Sequence, residues 1–303
     1  MLFDVPLAIN WNFTDLCNFN CRHCYSRGRL PDEMTASEKE AVAKSLCINE
    51  VPQVNLGGGE PLLLRDDIIK VASIFHQYKT KLCISTNAYK VDNSYVRELH
   101  DLGLFYFYVS LDSHKESVHN YIRNNKASFD EVIGFISFCN KISQNVGISL
   151  VLNRLNWQEI PDTLKFFLEL GVTRLSIKRL RPVGNGLTNK DELVIPDDQE
   201  ADMLALLSSA ITEYQDKINI HFVYNDFPIE SSIDTGCPCG RTSLAIMPNG
   251  DIKMCVYGYK VIGNMLTDDL SDIWMNNSYL HEMRKHHVCE GLEIRPVTKK
   301  EYV

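Results

Sequence analysis

Seven short runs rich in β-branched and aromatic residues, separated by longer amphipathic stretches, most constrain what this chain can fold into. The runs cover residues 8–14, 53–56, 81–85, 105–111, 147–152, 174–180 and 218–224, and their composition is that of strands. Between them, apolar residues recur three and four apart over 66–78, 94–102, 129–143, 157–170 and 197–214, which predicts helices. A further helix is predicted to start at Thr35-Ala-Ser-Glu38. There the threonine hydroxyl can accept from the third backbone N–H while the glutamate reaches back, a capping box. Repeated β-then-α units with apolar strands imply a parallel sheet covered by helices. Six such units make a curved sheet or partial barrel, an α/β fold whose loops after the strand C-termini build the site.

The pattern stops near residue 228, where we place a boundary between a core of 1–228 and a smaller unit of 229–303. Cysteine, glycine and proline become dense there, and 244–255 reads as a hairpin turning at Asn249-Gly250. A helix is expected near 270–285, followed by a polar tail.

At 303 residues the chain can hold one large domain with an appendage. A net charge of −8 argues against nucleic acid bound through a broad basic surface. The small cluster Lys178, Arg179 and Arg181 suits one anionic group instead. The N-terminus has no basic start or long apolar core, and the longest apolar run, 104–111, is far short of a membrane span. Ten cysteines without an export signal point to a reducing, cytoplasmic compartment where thiols serve metals or catalysis. Cys47, Cys83 and Cys139 stand alone in apolar segments and are expected to act as small buried hydrophobes.

The remaining cysteines cluster. Cys17, Cys21 and Cys24 are spaced Cys-x3-Cys-x2-Cys on a loop just after the first strand-like run. A cubane iron–sulfur cluster takes one thiolate per iron, so three ligands leave the fourth iron open to a substrate or cosubstrate. Zinc, with His23 or a later residue as fourth ligand, is the other reading of the same spacing. Cys237, Cys239, Cys255 and Cys289 form a second set of four thiols, enough for one closed cluster or for one zinc.

The chain resembles the radical S-adenosylmethionine (radical SAM) enzymes. The resemblance rests on Cys17, Cys21 and Cys24 followed by Tyr25, and on Gly57-Gly58-Gly59-Glu60-Pro61 at the end of the second strand. Glycines there let the backbone approach a ligand closely, and the carbonyls with the Glu60 carboxylate can hold a methionine ammonium. Further matches follow strand by strand: Asn87 after the third, Ser110 and Asp112 after the fourth, Arg123 soon after, Asn153 after the fifth and Arg181 after the sixth. The resemblance implies that Ser110 and Asp112 hold ribose hydroxyls, that Arg123 pairs with the methionine carboxylate, and that Asn153 and Arg181 sit near the cosubstrate. Taken singly, Ser, Asp and Asn after a strand are also ordinary helix caps.

Cys239, Gly250 and Cys255, with Ile262-Gly-Asn264 and Asp272-Ile-Trp274, resemble the SPASM and twitch subgroup with auxiliary clusters. Cys289 is the last cysteine, so the resemblance implies one auxiliary [4Fe–4S] cluster, as in the shorter twitch form. Cys237 lies one residue from Cys239, and three roles stay open for it: cluster ligand, hydrogen-atom donor or bystander.

The activity implied is reductive cleavage of S-adenosylmethionine to a 5′-deoxyadenosyl radical, which abstracts a hydrogen atom from a substrate. A flavodoxin- or ferredoxin-type protein would donate the electron. The expected substrate is a ribosomally made peptide, cross-linked, given a thioether or epimerised, with oxidation of a small molecule or cofactor precursor as the alternative. The cysteine motif begins at residue 17, so peptide recognition is expected to fall to a separate protein. A non-catalytic iron–sulfur or zinc module would have no need of the Gly57–Pro61 ammonium loop.

Overall fold

The structure is a computed structural model that describes residues 3–26, 32–223 and 238–286. Cys237, Cys289 and the expected boundary near residue 228 lie outside the described residues. Seven strands, β1 (Ala8–Thr14), β2 (Gln53–Gly58), β3 (Lys81–Thr86), β4 (Tyr106–Ser110), β5 (Val146–Leu152), β6 (Arg174–Arg179) and β7 (Asn219–Val223), pair in parallel and in chain order. Between them run α1 (Ala36–Ile48), α2 (Arg65–Tyr78), α3 (Asn93–Asp101), α4 (Glu116–Arg123), α5 (Ser128–Lys141), α6 (Ile160–Glu169), α7 (Asn185–Thr188), α8 (Lys190–Leu193) and α9 (Glu200–Tyr214). The capping box at Thr35 and Glu38 is formed, so α1 starts where the sequence expects it.

Alternation along the strands divides the sheet into two faces. On one face Ile9, Val54, Ile84, Phe107, Ile148 and Leu175 are wholly buried and join the core of Val42, Val71, Leu99, Val132 and Leu164 from the helices. On the other face, Asn10, Asn12, Asn55, Ser85, Ser110 and Ser149, all small and polar, line one cavity. Apolar burial holds the helices to the outer face at about 25 cal/mol per Å², while short polar side chains leave room inside.

Beyond the sheet's first strand the chain adds β8 (Ser243–Ile246), β9 (Asp251–Lys253) and β10 (Val261–Asn264). β8 lies parallel to β1, with Ile9 opposite Leu244, so the sheet runs β10-β9-β8-β1 and on to β7 without a break. The hairpin expected at Asn249-Gly250 is present, with Gly250 at φ 88. The helix expected over 270–285 is two, α10 (Leu270–Asn276) and α11 (Ser278–His286). Asn277 causes the break, because its side-chain oxygen accepts from the amides of Tyr279 and Leu280 and starts a new helix. No helix among the described residues is long and apolar enough to cross a membrane.

Candidate functional site

The three-cysteine loop leaves the C-terminal end of β1 and is held from several sides through its backbone. Arg22 N–H donates to the Ile122 carbonyl at the end of α4 (2.9 Å). From the loop after β6, the Asn185 amide donates to the Cys24 carbonyl (2.8 Å), and the Asn185 side chain donates to the Cys21 carbonyl (2.8 Å). Asn189 donates to the Arg22 carbonyl (2.9 Å). Gly184, at φ 57, makes this approach possible, since a Cβ there would lie 2.7 Å from the Cys24 oxygen. Tyr25 donates to Asn12 Oδ1 (3.0 Å), which ties the far end of the loop back to β1.

Cys17, Cys21 and Cys24 are in no disulfide among the described residues, and all three line the cavity of ≈ 390 Å³ at the strand ends. The Phe19 amide points at Cys17 Sγ (3.4 Å), a contact that favours a thiolate. Burial pushes the Cys21 thiol up to about 12, only partly offset by Arg123. A thiol so placed gives up its proton to a metal rather than to water.

The glycine turn after β2 packs against the same loop. Gly59 N–H donates to the Thr14 carbonyl (2.6 Å) and Glu60 N–H to the Leu16 carbonyl (2.7 Å). A Cβ on Gly58 would lie 2.4 Å from Thr14 O, and one on Gly59 2.0 Å from Leu16 O. Only glycine fits between these backbones. Glu60 is buried, and its carboxylate accepts from Thr86 Oγ1 (2.8 Å) and from the amides of Leu62 (3.1 Å) and Asn87 (2.7 Å). Burial nevertheless raises it to about 7, with those bonds and Arg123 opposing. Asn87 in turn donates to Asn18 Oδ1 on the cysteine loop (2.8 Å).

Gly58, Gly59, Glu60, Asn87, Ser110, Arg123 and Arg181 line the cavity with the three front cysteines, and so do Cys239 and Cys255 from the far edge of the sheet. Two of the expected residues stand back from the cavity. Asp112 and Asn153 are fully buried and are not on the wall. Asp112 accepts from Arg123 Nε (2.7 Å) and from the Val151 amide (3.0 Å). Burial alone would raise its carboxyl, but Arg123, His23, His119 and that amide outweigh it and hold it below the usual value. Asn153 donates to the Val151 carbonyl and accepts from Leu155 N–H, closing its own turn. Asp112 thus aims Arg123, whose guanidinium lies beside Cys21.

Sequence reasoning passed over the strand residues that floor the cavity, among them Asn10, Asn12, Asn55 and Ser149. Their signal was available: small polar residues at every second strand position. It also passed over Tyr257, whose ring meets Tyr25 edge-on at 5.1 Å and whose amide points at Cys255 Sγ (3.5 Å). Tyr25 follows the last front cysteine, so this pair joins the two cysteine sets across the cavity.

Three cysteines from one loop, opening on a cavity with a glycine turn and a buried carboxylate, suit a three-ligand cubane and an amino-acid cosubstrate. At the rear, Cys239 and Cys255 lie beside the same cavity, two of the thiols that a second cluster would take.

Residues 11–167 match the radical SAM superfamily and residues 237–291 match an iron–sulfur cluster-binding domain, SPASM. The chain is 28% identical over 206 residues to Fe-coproporphyrin III synthase of Methanosarcina barkeri, covering 66% of this chain and 51% of the synthase. The chain thus spans about half the length of that relative. It is 26% identical to mycofactocin maturase MftC of Mycobacterium tuberculosis, covering 93% of this chain and 73% of the maturase. Its fold matches Streptococcus suis SuiB bound to precursor peptide SuiA with TM-score 0.76 at 20% identity, over 96% of this chain and 71% of that one. A [4Fe–4S] cluster and S-adenosylmethionine belong to the first matched region and an auxiliary iron–sulfur cluster to the second. With more than half of the chain matched, this protein is a member of the radical SAM superfamily carrying a C-terminal SPASM-type iron–sulfur domain.

Proposed function

We propose that this protein is a peptide-modifying radical SAM enzyme. One observation carries the reading: the front cysteines, the Gly58-Gly59-Glu60 turn and two rear cysteines face a single cavity. When bound, the front cluster supplies one electron to S-adenosylmethionine, whose cleavage gives methionine and a 5′-deoxyadenosyl radical that takes a substrate hydrogen atom.

The chain's own residues bind, orient and shield. The Gly58 and Gly59 backbone and Glu60 hold the methionine amine, Arg123 meets its carboxylate, and Asn87 and Ser110 face the nucleoside. Cys17, Cys21 and Cys24 hold the front cluster, and Cys239 and Cys255, with Cys237 and Cys289, hold the auxiliary one. Cys237 is a ligand in this reading, with hydrogen donation as its other role. The helix-covered sheet keeps water away from the reacting atoms and fixes a near-attack geometry. A flavodoxin- or ferredoxin-type donor reduces the protein in the cytoplasm, and a separate recognition protein delivers the peptide. Residues 1–228 form the core unit and 229–303 the auxiliary one.

A peptide substrate is favoured by the likeness to MftC, a maturase, over 93% of this chain, and by the fold shared with peptide-bound SuiB. The second reading, a small-molecule or cofactor precursor, is favoured by the Fe-coproporphyrin III synthase likeness. Mass spectrometry separates them. The reconstituted protein is incubated with S-adenosylmethionine, dithionite and small peptides encoded beside its gene. A loss of two hydrogens or deuterium uptake from heavy water supports peptide maturation. Unchanged peptides, with 5′-deoxyadenosine still released, would leave the small-molecule reading.

A further inference from the structure

The cavity wall carries six cationic side chains, Arg123, Lys178, Arg179, Arg181, Arg241 and Arg284, against one carboxylate, Glu60, among the described residues. Three of the six are accounted for. Arg123 is paired with Asp112 (2.7 Å), Arg179 with Glu200 (2.8 Å), and Arg284 donates to the carbonyls of Gly240 and Trp274. Glu60 already accepts three hydrogen bonds of its own.

Lys178 is different. It stands on β6, and strand alternation turns it to the cavity face, opposite buried Leu175 and Ile177. Its ammonium approaches only the Ser149 hydroxyl, at 3.4 Å, and among the described residues it meets no carboxylate. Arg181, three residues further on the same wall, also meets none. Its side chain is exposed to the cavity, yet the surrounding protein and the nearby Arg123 press the Lys178 pKa down, the direction expected of a cation with no counter-charge. The cosubstrate's one carboxylate is met by Arg123 in the reading above, and its sulfonium is itself a cation. Arg181 apart, which the resemblance places near the cosubstrate, the residues that hold it in the reading above lie on the loops after β2 to β4 and on α4.

We propose that Lys178, with Arg181, holds a carboxylate of the substrate inside the cavity and so selects an acidic substrate. Taking that carboxylate from a Glu or Asp of a peptide rests on the peptide reading above; a carboxylated small molecule presents the same group. The anchor stands on β6 and at the start of the loop that packs on the cysteine loop. A substrate held there extends from Lys178 toward the cosubstrate and presents a C–H bond along the way.

The test uses the anaerobically reconstituted full chain loaded with S-adenosylmethionine. It is dialysed against two pooled hexapeptide libraries, identical except for Glu or Gln at one position, and separately against glutarate and citrate. The wild type should retain the Glu pool about tenfold over the Gln pool, as a charge-assisted bond predicts. Lys178→Arg should keep the preference and Lys178→Gln should lose it, with iron content and melting temperature showing that both variants are folded. Lys178-dependent retention of glutarate or citrate without either peptide pool would support the anchor and remove the peptide reading. Equal retention of both pools without acid binding, or a preference that survives in Lys178→Gln, would overturn the proposal.

Discussion

Asp112 and Arg123 form a buried ion pair directly behind the cysteine loop, with side-chain exposures of 0% and 9%. Removing one partner of such a pair leaves an uncompensated charge and typically costs about 3–5 kcal/mol. Asp112→Ala should therefore lower unfolding free energy by roughly that amount in urea titrations of the cluster-free protein. The sign with pH follows from the depressed carboxyl: the stability it confers is present above its unfolded value of 3.8 and is lost as pH falls through the folded one. Glu60 behaves in the opposite sense. Burial lifts it to about 7 from 4.5, so the cluster-free protein loses stability as pH rises between those values. Glu60→Gln should flatten that slope in paired titrations at acidic and neutral pH. Replacing a charge-assisted bond costs about 1.5–3 kcal/mol, so the variant should bind S-adenosylmethionine roughly ten- to a hundredfold more weakly by calorimetry. The motif residues were legible in the sequence, yet the supporting role of Asp112 was not. An aspartate after a strand looks alike whether it faces a ligand or an arginine from the next helix.

The loop after β6 with α7 acts as a clamp on the cysteine loop. Asn185→Ala deletes side-chain bonds to Asn20 Oδ1 and the Cys21 carbonyl, both 2.8 Å. At about 0.5–1.5 kcal/mol per bond the two together are worth about 1–3 kcal/mol, so the front cluster should be lost to a chelator roughly five- to 150-fold faster. Iron release followed by absorbance measures this, and an unchanged rate would mean the clamp is ornamental. Local pattern predicted the long elements well, because period-two and three-to-four-residue repeats are written in adjacent residues. It missed α4, α7, α8 and β10, which are too short to show a repeat. It also ran α10 and α11 together, since the capping oxygen of Asn277 interrupts the backbone without interrupting the apolar spacing.

On the scale of the whole molecule, β8 covers the edge of β1 from which the cysteine loop departs. That pairing joins residues more than two hundred positions apart, and no local pattern reveals it. A chain truncated after residue 223 would expose the β1 edge, a template for intermolecular pairing. It should lose most of its soluble yield rather than survive as an independent core. The same pairing places Cys239 and Cys255 on the cavity that Cys17, Cys21 and Cys24 enter from the other side. The central claim is that this shared cavity cleaves S-adenosylmethionine. Its most direct test is 5′-deoxyadenosine released by the anaerobically reconstituted protein under dithionite, compared with Cys24→Ala. The account predicts product that depends on the protein and on Cys24; equal amounts from the two would contradict it.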